Sequence, residues 1–411
     1  MELIETLNRT MKLAMDEGVA SSYEEAQSLF NSFKLRISIQ PGFTDVPAAE
    51  AAVLTLLNAA PKTFLGGVEL VGALEEYCTQ AWFAGIKLGD VAQKMGVTTE
   101  ISCSNDLPTI YWGSHLPSSD TFCLGVILNS DGFTLSPDRA GKGAQSSPIQ
   151  AGVAAAGAAL YEAFQHAYRK APTAGQREIR WSLPDITQES PPPTMWLIGG
   201  GHLGQAFLWT VALKGNSFLP QSIKLSDYDT VSWSSLSTCL LVNSKDVGKR
   251  KVDVIADQLE LLGVMVQRDY ERLNLDTGII KSEHELAVVA VDNIALRRSL
   301  DRLHVSRILE AGIGNGPEAF TRIQLHKFPG LRKARDIWME DDVRGARLAD
   351  LSKPAYQSLL KTSGDECGTA LVAGRAVATP FIGAFAGAVL SQFAMNPFGS
   401  NCAWNFDVCS L

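Results

Sequence analysis

The sequence predicts an α/β chain whose second half is built on a doubly wound parallel sheet. Two observations carry that expectation. The stretch from Met195 to Phe207, "MWLIGGGHLGQAF", passes from an apolar run through a glycine turn into helix-forming residues. From there on, short apolar strands and helical stretches take turns, the pattern of a parallel sheet with helices on both faces.

The elements follow in order. Before the proline run at 191–193, residues 1–30 read as helical and 34–42 as a strand and turn. Residues 48–60 and 70–88 read as helices, 121–135 alternates like a hairpin, and 149–170 is a long helix of small residues. After the prolines, strands are expected at 195–198, 221–226, 264–269, 286–291 and 305–310, with helices starting near 202, 249 and 293. Residues 327–366 are highly charged and read as an excursion from the core. "GVAAAGAALYEAFQHA" in the first half echoes "FIGAFAGAVLSQFAMN" in the second. The expected division is 1–190 and 191–411, the first part a degenerate relative of the second that lacks its glycine loop.

Bulk properties narrow the function. A chain of 411 residues with 46% apolar content supports two domains with real cores. A net charge of −8 without a dominant basic cluster argues against a nucleic-acid platform. Seven cysteines, an odd number without framework spacing, fit a reducing, cytoplasmic setting. The charged N-terminus is no secretory signal. Residues 376–395 are uncharged, but their Ala/Gly content with Pro380, Ser391 and Gln392 reads as buried helix rather than membrane span. There is no C-x-x-C pair for a zinc, and the six histidines show no ligand spacing.

Gly199, Gly201 and Gly204 form a G-x-G-x-x-G spacing between a strand and a helix, where backbone N–H groups can meet a phosphate. Alone, the motif fits NAD, FAD, ATP or an empty turn. Asp229 lies at the tip of the next strand, placed to accept ribose hydroxyls or to cap the strand. Lys251, three residues past Gly248, could neutralise the charge of a triphosphate or simply start a helix. Asp292 follows the apolar strand "LAVVAV" and could hold Mg²⁺ or cap the next helix. His202, inside the loop, could touch a phosphate or pack the loop.

Taken together, the glycine loop, D-x-D-x-V, D-V-G-x-x-K and then D-N-x-x-x-R resemble the ThiF family, adenylating enzymes related to ubiquitin-activating enzymes. The match runs from about 195 to 316 and resumes after 367. The resemblance implies a Rossmann-like adenylation fold preceded by an inactive adenylation-like domain that stands in for a partner subunit. It also implies ATP with Mg²⁺ and attack by the C-terminal carboxylate of a small protein on the α-phosphate. By position, Asp229 would contact ribose, Lys251 the phosphates and Asp292 the magnesium, with Asn293 and Arg297 completing the nucleotide site. One departure stands out: "SSLSTCL" places Thr238 where the family carries an arginine. Lys249 or Arg250 could replace that charge, or Arg9 or Arg36 could supply it from the first half.

Cys367, in "SGDECGTALVAG", resembles the thioester cysteine of noncanonical activating enzymes that lack a large cysteine domain. Asp365 and Glu366 would oppose its ionisation. Cys239 reads as packing, and Cys402 and Cys409 as strand residues. The implied partners are a ubiquitin-like protein ending in glycine and a conjugating enzyme, in a layout like that of bacterial conjugation systems, some antiphage. A homodimer through the first half stays open. The alternatives are a peptide or sulfur-carrier adenylating enzyme that needs no cysteine, a scaffold with a decayed pocket, and a nicotinamide oxidoreductase, against which Lys251 speaks.

Overall fold

The computed structural model describes residues 6–100, 107–116, 121–169, 171, 173–184, 191–275, 278–314, 316–339, 350–396 and 403–411. The chain forms two main sheets. In the first, β1 (Lys34–Ile39), β2 (Gly67–Val71), β3 (Thr109–Trp112) and β4 (Cys123–Leu128) run parallel. The strands β5 (Gly132–Ser136) and β6 (Ile179–Ser182) extend it antiparallel, giving the order β2-β1-β3-β4-β5-β6. Helices α1 (Lys12–Glu17) and α2 (Tyr23–Phe30) precede β1. Helix α3 (Pro47–Ala59) joins β1 to β2, α4 (Leu88–Lys94) precedes β3, and α5 (Ile149–Arg169) lies between β5 and β6.

The second sheet holds β7 (Thr194–Ile198), β8 (Ser222–Ser226), β9 (Met265–Asp269), β11 (Leu286–Val289), β13 (Arg307–Ile313), β14 (Arg322–Phe328) and β15 (Ala403–Asp407); β10 (Ile280–Lys281) and β12 (Leu303–His304) form a separate pair. Its order is β15-β14-β13-β11-β7-β8-β9. Helix α6 (His202–Leu213) joins β7 to β8, α7 (Trp233–Leu236) and α8 (Lys251–Glu260) lead to β9, and α9 (Ile294–Arg298) follows β11. Between β14 and β15 come α10 (Ala334–Ile337), α11 (Pro354–Ser363), α12 (Glu366–Gly374) and α13 (Pro380–Met395).

Apart from β9 the two sheets match strand for strand. Each places its second strand outside its first, continues with two parallel strands and ends with two antiparallel ones. Helices α3 and α6 occupy one equivalent place, α5 and α13 another. The echo between the two small-residue segments is thus an echo of position.

Those helices form the seam between the halves. Helix α13 packs on α5 and α6, and α5 on α3. Glycines set the spacing: a Cβ on Gly157 would lie 2.6 Å from the Phe381 carbonyl oxygen, and one on Gly387 2.4 Å from the Ala206 backbone. Phe381 and Phe385 fill the rest against Phe164 and Trp181. Gln150 Nε2 donates to Gln392 Oε1 at 3.1 Å, and Gln150 Oε1 accepts from Lys214 Nζ at 3.0 Å, so the buried Gln150 amide is paired at both ends. Helix α13 is buried along its length, which explains its lack of charge. No described helix is long and apolar enough to cross a membrane.

Three expectations need correction. Residues 70–88 are not a helix. Val71 ends β2, which pairs with β1 from Lys34↔Gly67 to Ser38↔Val71. Gly72 (φ 80°) and Gly85 (φ 79°) then adopt left-handed backbone that interrupts a helix. Cys409 is not in a strand but in a 3-10 turn after β15, and Cys402 lies outside the described residues. The charged excursion begins only after Phe328, since 327–328 complete β14.

Candidate nucleotide site

Strand β7 stops at Ile198, and Gly199 turns the chain with φ 99°. A Cβ there would lie 2.6 Å from the Ala290 carbonyl oxygen, so the loop runs hard against the end of β11. Gly204 serves packing: its Cβ would fall 2.0 Å from the Gly199 carbonyl oxygen. Gly201 differs, with nothing within 4 Å of a Cβ, and it caps α6 without any side-chain cap. The open N-terminus of α6 therefore faces space that an anion can enter.

The loop is pinned from beneath. Gly200 N–H donates to Asp227 Oδ2 at 2.7 Å, and Gln205 Nε2 donates to the Gly200 carbonyl at 2.8 Å. Gln205 Oε1 accepts from Leu241 N–H at 2.9 Å, which ties the loop to the segment after α7. Asp227 also accepts from Asp229 N–H at 2.8 Å. Burial raises its carboxyl pKa, and nearby Lys251 opposes the rise. The first aspartate of the D-x-D pair thus holds the loop, while the second, Asp229, lines the cavity.

Above the loop lies a cavity of about 350 Å³. Gly199, Gly201, Asp229, Lys251, Asp292 and Asn293 line it. Lys251 Nζ sits 2.7 Å from Asp229 Oδ2. Burial pulls the Lys251 ammonium down, but Asp227, Cys239 and Asp229 together outweigh it, and the net shift is upward. Asp292 is exposed and makes no hydrogen bond or ion pair among the described residues. The helix-cap role considered for it falls on Asn293, whose Oδ1 accepts from Leu296 N–H at 3.0 Å. Arg297 reaches the cavity wall, but its guanidinium is already held. It donates to the Val291 carbonyl at 2.8 Å and the Ala311 carbonyl at 3.2 Å, and lies 3.2 Å from Glu310. It therefore fixes the turn that presents Asp292 while still lining the cavity, where the family resemblance expects a nucleotide contact.

Thr238 is buried, so no cation occupies the family's arginine position. Lys249 pairs with Asp246 at 2.9 Å and Arg250 donates to the Tyr228 carbonyl at 2.6 Å; neither lines the cavity. Arg36 pairs with Glu69 in the first sheet at 3.1 Å. Arg9 is the residue that arrives. Its backbone N–H donates to Ser237 Oγ at 3.2 Å, and its Nε and Nη2 donate to the Ala376 carbonyl at 3.2 and 3.0 Å. Its guanidinium thus lies in the cavity wall beside Arg375. Burial lowers the Arg9 pKa and Arg375 adds to the effect, while Cys239 and Asp292 oppose it.

His202 packs the loop. Its Nε2–H donates to the Thr379 carbonyl at 2.9 Å, joining the start of α6 to the start of α13. Burial, aided by Arg9, lowers its pKa to about 3, so the ring is neutral and offers a phosphate no charge.

Cys367 stands apart. It is exposed in the first turn of α12, whose cap Asp365 accepts from Gly368 N–H at 2.9 Å. It does not line the cavity. Helix α12 runs from there to Arg375, which does, a separation of roughly 12 Å at the helical rise. Cys239, near the loop, is buried, and that burial raises its thiol pKa.

Fold and site together define an α/β protein of two matched sheets, one with a pinned glycine loop and a charged cavity at its carboxyl edge. The chain belongs to the BilD family. The family model for the BilD N-terminal domain matches residues 34–183 and that for the BilD C-terminal domain residues 191–397. The bacterial E1-like protein BilD of Collimonas sp. (strain OK412) is 33% identical over 408 residues, covering 93% of this chain and 86% of the relative. Among solved structures, E. coli MccB is 15% identical with a TM-score of 0.34, over 52% of this chain and 59% of that one. PaaA is 20% identical with a TM-score of 0.25, over 32% of this chain and 40% of that one.

Proposed function

We propose that this protein activates a ubiquitin-like protein at the expense of ATP, using the second half as the adenylating centre and the first as an inactive support. The observation that carries the reading is the meeting of Arg9, Lys251 and Asp292 around the open N-terminus of α6 in one cavity. Two cations and free helix N–H groups suit a triphosphate; a nicotinamide cofactor needs neither lysine nor arginine at that place. Asp229, at the tip of β8, suits the ribose. Asp292 fits a hard cation because it is an exposed carboxylate without a protein partner among the described residues. Bound there, Mg²⁺ would neutralise phosphate charge.

In the adenylation step, a carboxylate oxygen of the substrate's C-terminal glycine attacks the α-phosphorus. The bond to the bridging oxygen breaks, and pyrophosphate leaves with the electron pair, its charge met by Lys251 and Arg9. In the second step the Cys367 thiolate attacks the acyl carbon and AMP leaves, forming a thioester that a conjugating enzyme accepts. Since Cys367 lies outside the cavity, this step requires α12 to approach the adenylate.

The test is a nonreducing gel with ATP, magnesium and ubiquitin-like proteins that end in glycine. A thiol-sensitive, ATP-dependent band that vanishes in Cys367→Ala supports the full reading. Pyrophosphate exchange without such a band removes the thioester step and leaves an adenylating enzyme.

A further inference from the structure

A second and larger cavity, of about 880 Å³, lies at the seam between the halves and is lined in part by the segment after α7. Its wall is aromatic. Trp82 and Trp209 stack at 5.9 Å with planes 25° apart, and Phe83 meets Trp209 at 5.8 Å. Trp233 is 43% exposed at the cavity. The charge is one-sided: Lys62 and Lys94 line the cavity and no aspartate or glutamate does. The Lys62 ammonium has no hydrogen bond or ion pair among the described residues. Burial pulls its pKa down to about 8, as expected of a cation without a counter-ion.

A large, open, aromatic-walled cavity with a buried, unpaired ammonium among the described residues is a complementary shape for one class of molecule. A planar ring system would lie along the exposed indole of Trp233 and the half-buried indole of Trp82, which Trp209 backs, and a negative group would meet Lys62. We propose that this cavity is a second ligand site, separate from the nucleotide site, that takes a small planar aromatic anion, a carboxylate or sulfonate.

The site also has a physical connection to the first. Asn8 lines it and Arg9, the next residue, lines the nucleotide cavity. Asn8 Oδ1 accepts from Thr10 N–H at 2.9 Å, while its Nδ2 donates to the Lys62 carbonyl at 3.4 Å. The Lys62 backbone is therefore tied to the residue that precedes Arg9.

The test uses the full chain and 8-anilinonaphthalene-1-sulfonate, whose fluorescence reports binding, with uncharged N-phenyl-1-naphthylamine as control. Saturable one-to-one binding of the sulfonate is expected, and saturating ATP with magnesium should not displace it. Lys62→Met should weaken it about tenfold and leave the uncharged probe within twofold, because the ring contacts remain and the charge contact is lost. Trp233→Ala should weaken both probes. Circular dichroism melting of each variant checks that the fold is kept. Non-saturable binding, displacement by ATP, or equal affinity in wild type and a folded Lys62→Met variant would overturn the proposal.

Discussion

The two halves share a strand order, yet their first loops are built in opposite ways. In the second half, the chain after β7 leaves Gly201 open and the N-terminus of α6 without a side-chain cap. In the first half, the chain after β1 is closed by Glu76, which accepts from Gly42 N–H at 2.9 Å and from the Thr44 hydroxyl at 2.6 Å. Helix α3 then opens with Pro47, which has no N–H to offer. Its fourth residue is Glu50, a buried acid held by Thr79 and Gln80; the fourth residue of α6 is the neutral Gln205. Burial raises the Glu50 pKa. One loop invites an anion and the other already holds carboxylates. The comparison teaches that one topology can act as a site or as a support, depending on which groups occupy the N–H donors of a single turn.

The largest effect should separate the halves by activity. Lys251→Ala is expected to slow ATP–pyrophosphate exchange roughly 10²- to 10³-fold, the usual loss for a group that meets developing charge. Glu76→Ala should leave exchange within about twofold while lowering stability by ~1–2 kcal/mol in urea unfolding, since it removes only internal hydrogen bonds. Equal losses in both variants would break the comparison.

A second contrast lies in the glycines. Gly387→Ala should cost about 1–3 kcal/mol, read as a lowered melting temperature, because its Cβ meets backbone at 2.4 Å. Gly201→Ala has open space and should stay within about 0.5 kcal/mol, though it narrows the anion site and should reduce exchange.

A third contrast is a pH dependence at the contact between the starts of α6 and α13. The His202 pKa falls to about 3 in the folded chain, below its ordinary value of 6.5, so the unfolded chain binds more protons between those values. Its contribution to stability is complete above pH 6.5 and declines as pH falls from there toward 3. The advantage of wild type over His202→Gln in urea midpoint should therefore shrink over that window. A constant difference would mean that the ring is not held neutral.

Much of the second half was legible because local pattern and tertiary role agree there. Each strand expected between 195 and 310 is present within a few residues, and α6, α8 and α9 start at 202, 251 and 294. Residues 70–88 misled because apolar spacing suggests a helix, whereas pairing with β1 and the left-handed glycines decide the outcome. Asp227 was passed over for Asp229; the D-x-D pair was visible, but which member faces the loop depends on the turn after β8. Sequence alone leaves Arg9 one of four candidates, with Lys249, Arg250 and Arg36, because its partners Ser237 and Ala376 lie hundreds of residues away. Arg297 matched a motif, but motif spacing does not show that backbone carbonyls take up its guanidinium.

The most direct test of the central claim, that the N-terminal segment completes the nucleotide site of the second half, is substrate-dependent ATP–pyrophosphate exchange in Arg9→Ala beside Arg36→Ala. The expected result is a loss of about 100-fold for Arg9→Ala and near wild-type exchange for Arg36→Ala. Full exchange in a folded Arg9→Ala variant would contradict it.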